Sequence, residues 1–150
     1  MKLTIDDVKT RFIKHLGGEH GSVYASPGRI NLIGEHTDYN GGFVFPGAVT
    51  QGMIAEVRPN GTRIIRAYSI DMKDYDEFSI DDEKGPNATH FRFIYGVARE
   101  MMALGVPVEG FDTAFAGDVL MAPECHHLLP LKVVTHLQSM TYLVTIRLTR

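Results

Sequence analysis

Glu35, His36 and Asp38 stand almost side by side in this 150-residue chain, with Thr37 among them and Arg29 just upstream. Two carboxylates offer paired acceptor oxygens, and an imidazole donates and accepts at different nitrogens. Together they suit a small ligand carrying several hydroxyls, such as a sugar. A buried polar group left unpaired costs about 1–3 kcal/mol, so such a cluster also rejects an epimer whose hydroxyl points elsewhere. Arg29 adds a permanent cation able to stabilise a phosphoryl group or its leaving charge. In isolation Glu-His-x-Asp also describes a capped surface turn. The spacing matches no common metal pattern.

The elements that must carry these residues follow from periodicity. Val8, Phe12 and Leu16 recur every four residues, predicting a helix over 5–16 with Thr4 as N-cap and Gly17-Gly18 as its stop. Residues 22–26 alternate like a strand and run into Pro27-Gly28, a turn signal. Residues 51–58 and 62–69 read as a hairpin about Asn60-Gly61, a type I′ pair. The acidic segment 71–86 reads as solvated surface, its spacing being wrong for a calcium loop. Phe91, Ile94, Val97, Ala98, Met101, Met102 and Leu104 give an apolar face to a helix over 90–104, closed by Gly105 and Pro107. Phe111 to Ala116 reads as a further strand. Strands and helices without regular alternation predict an α+β fold.

Composition narrows the class. With 44% hydrophobic and 22% charged residues the chain is an ordinary globular one. A net charge of -3 argues against a nucleic-acid partner. One cysteine makes no internal disulfide. Acids stand where a signal peptide needs an apolar run, and no stretch approaches the roughly 18 apolar residues that span a bilayer. A cytoplasmic location without membrane contact is expected. Nothing in the sequence reports oligomeric state.

The full run Ser26-Pro-Gly-Arg-Ile-Asn-Leu-Ile-Gly-Glu-His-Thr-Asp-Tyr-Asn-Gly-Gly42 resembles the N-terminal signature of the galactokinases. These belong to the galactokinase–homoserine kinase–mevalonate kinase–phosphomevalonate kinase family. The resemblance continues through Phe45-Pro46 to Gly117-Asp118-Val119, covering nearly all of residues 1–121. It implies part of the α+β fold of those kinases (ribosomal protein S5 domain 2-like), with galactose as substrate and ATP with Mg²⁺ as cofactors. It further implies that Glu35, His36 and Asp38 bind galactose hydroxyls, with Thr37 in the same loop. By the same resemblance Arg29 stabilises the transition state near the anomeric hydroxyl, and Ser69 approaches the nucleotide. The family's aspartate, acting as base or orienting group, belongs to a segment beyond the matching part.

The pattern then breaks. The family continues with a Gly-x-Gly-x-x-Ser-Ser-Ser loop that opens a helix, where backbone N–H groups cradle the ATP phosphates. Here the chain reads Met121-Ala-Pro-Glu-Cys-His-His-Leu-Leu-Pro130, without glycine and with Pro123 lacking a donor. Residues 122–150 hold one acid, Glu124, against seventeen before them. Back-translation offers a cause. Restoring one G after the Met121 codon turns suitable codons into Met-Gly-Ala-Gly-Met-Ser-Ser-Ser-Ala-Ala, close to the missing loop. Two regions are therefore expected: 1–121, a partial galactokinase N-terminal domain, and 122–150, an out-of-frame tail. Cys125-His126-His127 is then an artefact of frame rather than a metal or nucleophile site. A chain without that loop is expected to be inactive. Its alternatives are a non-catalytic galactose-binding sensor and a non-functional product of a damaged gene. Within the enzyme class, an N-acetylated galactose is the runner-up substrate.

Overall fold

The computed structural model describes residues 4–34 and 40–117, and of residues 29–31 the backbone. Helix α1 (Ile5–Leu16) is followed by strands β1 (Ser22–Ile33), β2 (Phe45–Pro59), β3 (Ile64–Ser69) and β4 (Asp74–Ser79). Helix α2 (Thr89–Ala103) and strand β5 (Phe111–Gly117) complete the described elements. The strands form one sheet in the order β1-β2-β5-β3-β4. β3 and β5 run parallel and the other neighbours antiparallel. The α+β expectation holds.

Helix α1 forms where its local signals place it. Thr4 Oγ1 accepts from Asp7 N at 3.2 Å, and the Asp7 carboxylate accepts from Thr4 N at 3.1 Å, a reciprocal cap on two donors. Val8, Phe12 and Leu16 are buried against the sheet, where Phe12 and Leu16 meet Tyr68 and Ala114. Gly17 and Gly18, at φ of 69° and 73°, end the helix in the left-handed region that glycine adopts most cheaply.

Helix α2 packs on the opposite face. Phe91, Ile94 and Ala98 meet Met53, Ala55, Ile65, Phe78 and Phe115 in the larger core, with Met101 and Met102 at its margin. Fully burying a ring such as Phe91 is worth about 1.5–3 kcal/mol. Leu104, expected on this face, is instead exposed beyond the helix end.

Three expectations need correction. Pro27-Gly28 does not end a strand: β1 continues through it to Ile33, the turn signal having become a register shift against β2. β2 and β3 do not form a hairpin, because β5 lies between them. A direct two-residue turn at Asn60-Gly61 would set Arg58 opposite Arg63, a repulsive cross-strand pair. The observed sheet places Asp112 of β5 opposite both Arg58 and Arg66. The acidic segment is not surface throughout, since β4 pairs with β3 and buries Phe78, with Ile80 buried beyond it. Among the described residues no helix is long and apolar enough to cross a membrane.

Candidate functional site

β1, β3 and β5 all run in one direction, so their C-terminal ends emerge at the same end of the sheet. β1 leads from there into residue 35, β3 ends at Ser69, and β5 ends at Gly117. The alignment follows from register: Ser69 lies beside Phe115 on β5, Gly117 beside Met53 on β2, and Met53 beside Ser26 on β1. The ends of β1, β3 and β5 thus lie at one end of the sheet, although far apart in sequence.

Arg29 lies on β1 just past the register shift, its backbone opposite Ala48. Glu35, His36, Thr37 and Asp38 lie outside the described residues. Ser69 is almost wholly buried, and its Oγ accepts from Met72 N at 3.5 Å, across the turn that leaves β3. Neighbouring bonds tie that turn to β5: Ile70 N donates to Phe115 O at 2.9 Å, and Gly117 N donates to the Asp71 carboxylate at 2.7 Å. Ser69 is therefore fixed next to the strand that leads into Asp118. Apolar side chains crowd the same end, with Leu32, Ile33, Phe43 and Phe45 largely exposed.

Sequence reasoning missed the charged cluster at the other end. Asp112 is fully buried, and its carboxylate accepts from Arg66 Nε at 2.7 Å, Arg66 Nη2 at 2.5 Å, Arg58 Nη2 at 2.5 Å and Asn60 Nδ2 at 2.9 Å. Burial pushes its pKa up, but the bonds from Arg66, Asn60 and Arg58 together outweigh it and hold the pKa below the ordinary value. Arg58 also donates to Gly17 O at 2.9 Å and lies over the Phe12 ring at 5.2 Å, joining α1 to the sheet. Buried Glu56 anchors the α1–β1 connection, accepting from Gly21 N at 2.7 Å and contacting His20 Nδ1 at 2.9 Å. No spacing in the sequence signals either group, because each partner comes from a different strand or loop. These clusters are scaffold.

Comparison with known proteins shows what the chain is similar to. Residues 10–59 match the galactokinase galactose-binding signature. The chain is 39% identical over 117 residues to a galactokinase of Roseiflexus sp. (strain RS-1), covering 78% of this chain and 30% of that protein. It is 40% identical over 123 residues to one from Clostridium perfringens (strain SM101 / Type A), covering 78% and 31%. This chain is a homologue of the galactokinases.

The structural comparison agrees. The crystal structure of Lactococcus lactis galactokinase complexed with galactose matches at a TM-score of 0.65 and 31% identity, covering 76% of this chain and 31% of that one. Methanococcus jannaschii mevalonate kinase shares the fold at a TM-score of 0.64 and 16% identity, covering 87% and 41%. The chain spans about 30% of the length of the galactokinases it matches, in their N-terminal portion. The signature match takes in the end of α1 and all of β1 and β2, the pair that carries Arg29 and the polar run.

The residues following β5 do not fit an ATP phosphate cradle. Met121 to Pro130 contain no glycine to admit phosphate oxygens against the backbone, and Pro123 lacks an N–H. No phosphoryl-transfer step is derived through this segment.

Proposed function

We propose that residues 1–121 are the galactose-recognising portion of a galactokinase-type sugar kinase, and that the 150-residue chain is itself catalytically inactive. The observation that carries the reading is the signature match over residues 10–59, which takes in Arg29 and the 35–38 cluster. In this reading Glu35, His36 and Asp38 take the galactose hydroxyls, and Thr37 lies in the same loop. Arg29 faces the charge that develops at the anomeric oxygen. Ser69 holds the neighbouring wall toward the nucleotide. The activity of a full-length protein of this type is transfer of the ATP γ-phosphoryl group to the anomeric hydroxyl of galactose with Mg²⁺, where positioning and electrostatics supply most of the rate.

Loss of activity in this chain follows from residues 122–150, which we read as an out-of-frame tail standing where the phosphate loop belongs. The test has three arms. Calorimetry with galactose should show binding by the 150-residue chain, and a coupled ADP-release assay should show no turnover. Reading the DNA across codons 119–124 should reveal a kinase frame that resumes on adding one base. Turnover by the chain as it stands would refute the inactivity. An absent second frame would refute the frameshift. Absence of galactose binding would favour a non-functional product over a galactose-binding remnant. N-acetylgalactosamine, titrated in parallel, separates the two sugar substrates.

A further inference from the structure

The register of β1 against β2 shifts twice, by one residue between Asn31 and Ile33 and more abruptly between Pro27 and Gly28. Pro27 lies opposite Gly52, but the next residue, Gly28, lies opposite Val49. Thr50 and Gln51 therefore have no partners on β1. Both are exposed, and Thr50 Oγ1 donates to Gln51 Oε1 at 3.3 Å. Because side chains alternate with a period of two, an insertion of two residues leaves the flanking side chains on their original faces as far as the second shift at Asn31. What changes is the course of the strands, which a bulge bends and twists locally.

Gly52 is the residue that makes the bend close. A Cβ built there would stand 2.2 Å from Ser26 O and 3.1 Å from Pro27 Cα, both backbone atoms that cannot swing aside. Pro27 has no N–H, and a proline within a sheet falls on an edge strand or at a bulge, as it does here. Arg29 follows two residues later, and the strand continues to Ile33 and the start of the polar run. Bulges beside sites commonly re-aim the side chains that follow them.

We infer that Gly52, with the Thr50–Gln51 bulge, is a positioning element for the β1 part of the signature segment: its close approach to the Ser26 carbonyl sets the course of the β1 backbone from Gly28 to Ile33. Only the sugar-binding consequence rests on the proposed function. Gly21 supplies a matched control, since a Cβ there would stand 2.2 Å from Val57 O, an equal clash at the far end of the same strand pair.

The experiment compares Gly52→Ala, Gly21→Ala and a deletion of Thr50 and Gln51, each in the 150-residue chain. Thermal midpoints, backbone amide chemical shifts of residues 28–34, and galactose affinity by calorimetry are measured. Both alanine variants should lower the midpoint. Gly52→Ala alone should move the 28–34 amides and weaken galactose by about tenfold or more, given how tightly a binding geometry must be held. The deletion removes the register shift between Pro27 and Gly28, so it should keep or raise the midpoint while producing the same amide and affinity changes. If Gly52→Ala does not fold, the deletion carries the comparison. Amides and affinity that stay at parental values in the deletion, or that Gly21→Ala alters equally, overturn the inference. Should the parent chain bind no galactose, the sugar reading falls and the amide shifts still decide the positioning.

Discussion

Strands β2 and β5 pair continuously from Met53–Gly117 to Pro59–Phe111, and the two ends of that pairing are built differently. Near Pro59 and Phe111, buried Asp112 draws Arg58 and Arg66 in from both flanking strands, with Asn60 as a further donor. Near Gly52 and Gly117, small residues let backbones approach, with Gly52 O 3.4 Å from the position of a Gly117 Cβ. Charge and hydrogen bonding hold the first end. Close backbone packing shapes the second, which leads into the signature.

The most direct way to break this contrast is Asp112→Ala. It leaves two guanidinium groups and an amide without their acceptor, and should cost about 3–5 kcal/mol in urea unfolding. That is a large part of the roughly 5–15 kcal/mol typical of a domain. A cost below about 1 kcal/mol would mean that the charged end is not what holds β5 in place. The same carboxylate gives the contrast a pH signature. Its folded pKa lies below the ordinary value of about 3.9, so its contribution is complete above that pH and is lost as pH falls through the folded pKa. Stability should therefore drop below about pH 4, and Asp112→Asn should flatten that part of the profile.

Arg58→Met ranks next. Asp112 keeps Arg66 and Asn60, but Gly17 O and Glu19 O lose a donor and Phe12 loses its cation. We expect a loss of about 1–3 kcal/mol, with α1 amides exchanging faster than those of α2. The smallest effect belongs to the signature end. Phe43, fully exposed, should change stability by less than about 0.5 kcal/mol on replacement by Gln, while raising the concentration at which the chain stays monodisperse in light scattering. A large stability loss there would show that the apolar tip is internally packed.

How far the sequence could be read depended on the distance over which each signal acts. The α1 cap, its four-residue spacing and its glycine stop are contained in a few consecutive residues, and each appears in the structure as expected. α2 was legible for the same reason, save for its last apolar residue. Asn60-Gly61 misled because its hairpin signal is genuine but local. Asn60 instead closes a side-chain turn, with Thr62 N donating to its Oδ1 at 3.1 Å and its amide reaching Asp112. The decisive fact, a carboxylate between two arginines, involves a strand about fifty residues away and leaves no periodic trace. Pro27-Gly28 misled in a related way: the pair does mark a break, but in the register with β2 rather than in the strand. For Glu35, His36, Thr37 and Asp38, residue type and order carried the reading, and the described structure adds the sheet end from which they depart.

The order β1-β2-β5-β3-β4 also has a consequence in time. The strand at the centre of the sheet is the last of the five to be synthesised. Until β5 emerges, β1–β2 and β3–β4 are two separate antiparallel pairs, each offering an unpaired edge that the other cannot fill. Asp112 arrives with that last strand, so Arg58 and Arg66 wait without their acceptor while about fifty further residues are made. Folding of this region should therefore be slow and governed by non-local pairing. A nascent chain halted shortly before Phe111 would expose two adhesive edges at once, a natural target for chaperones and for self-association.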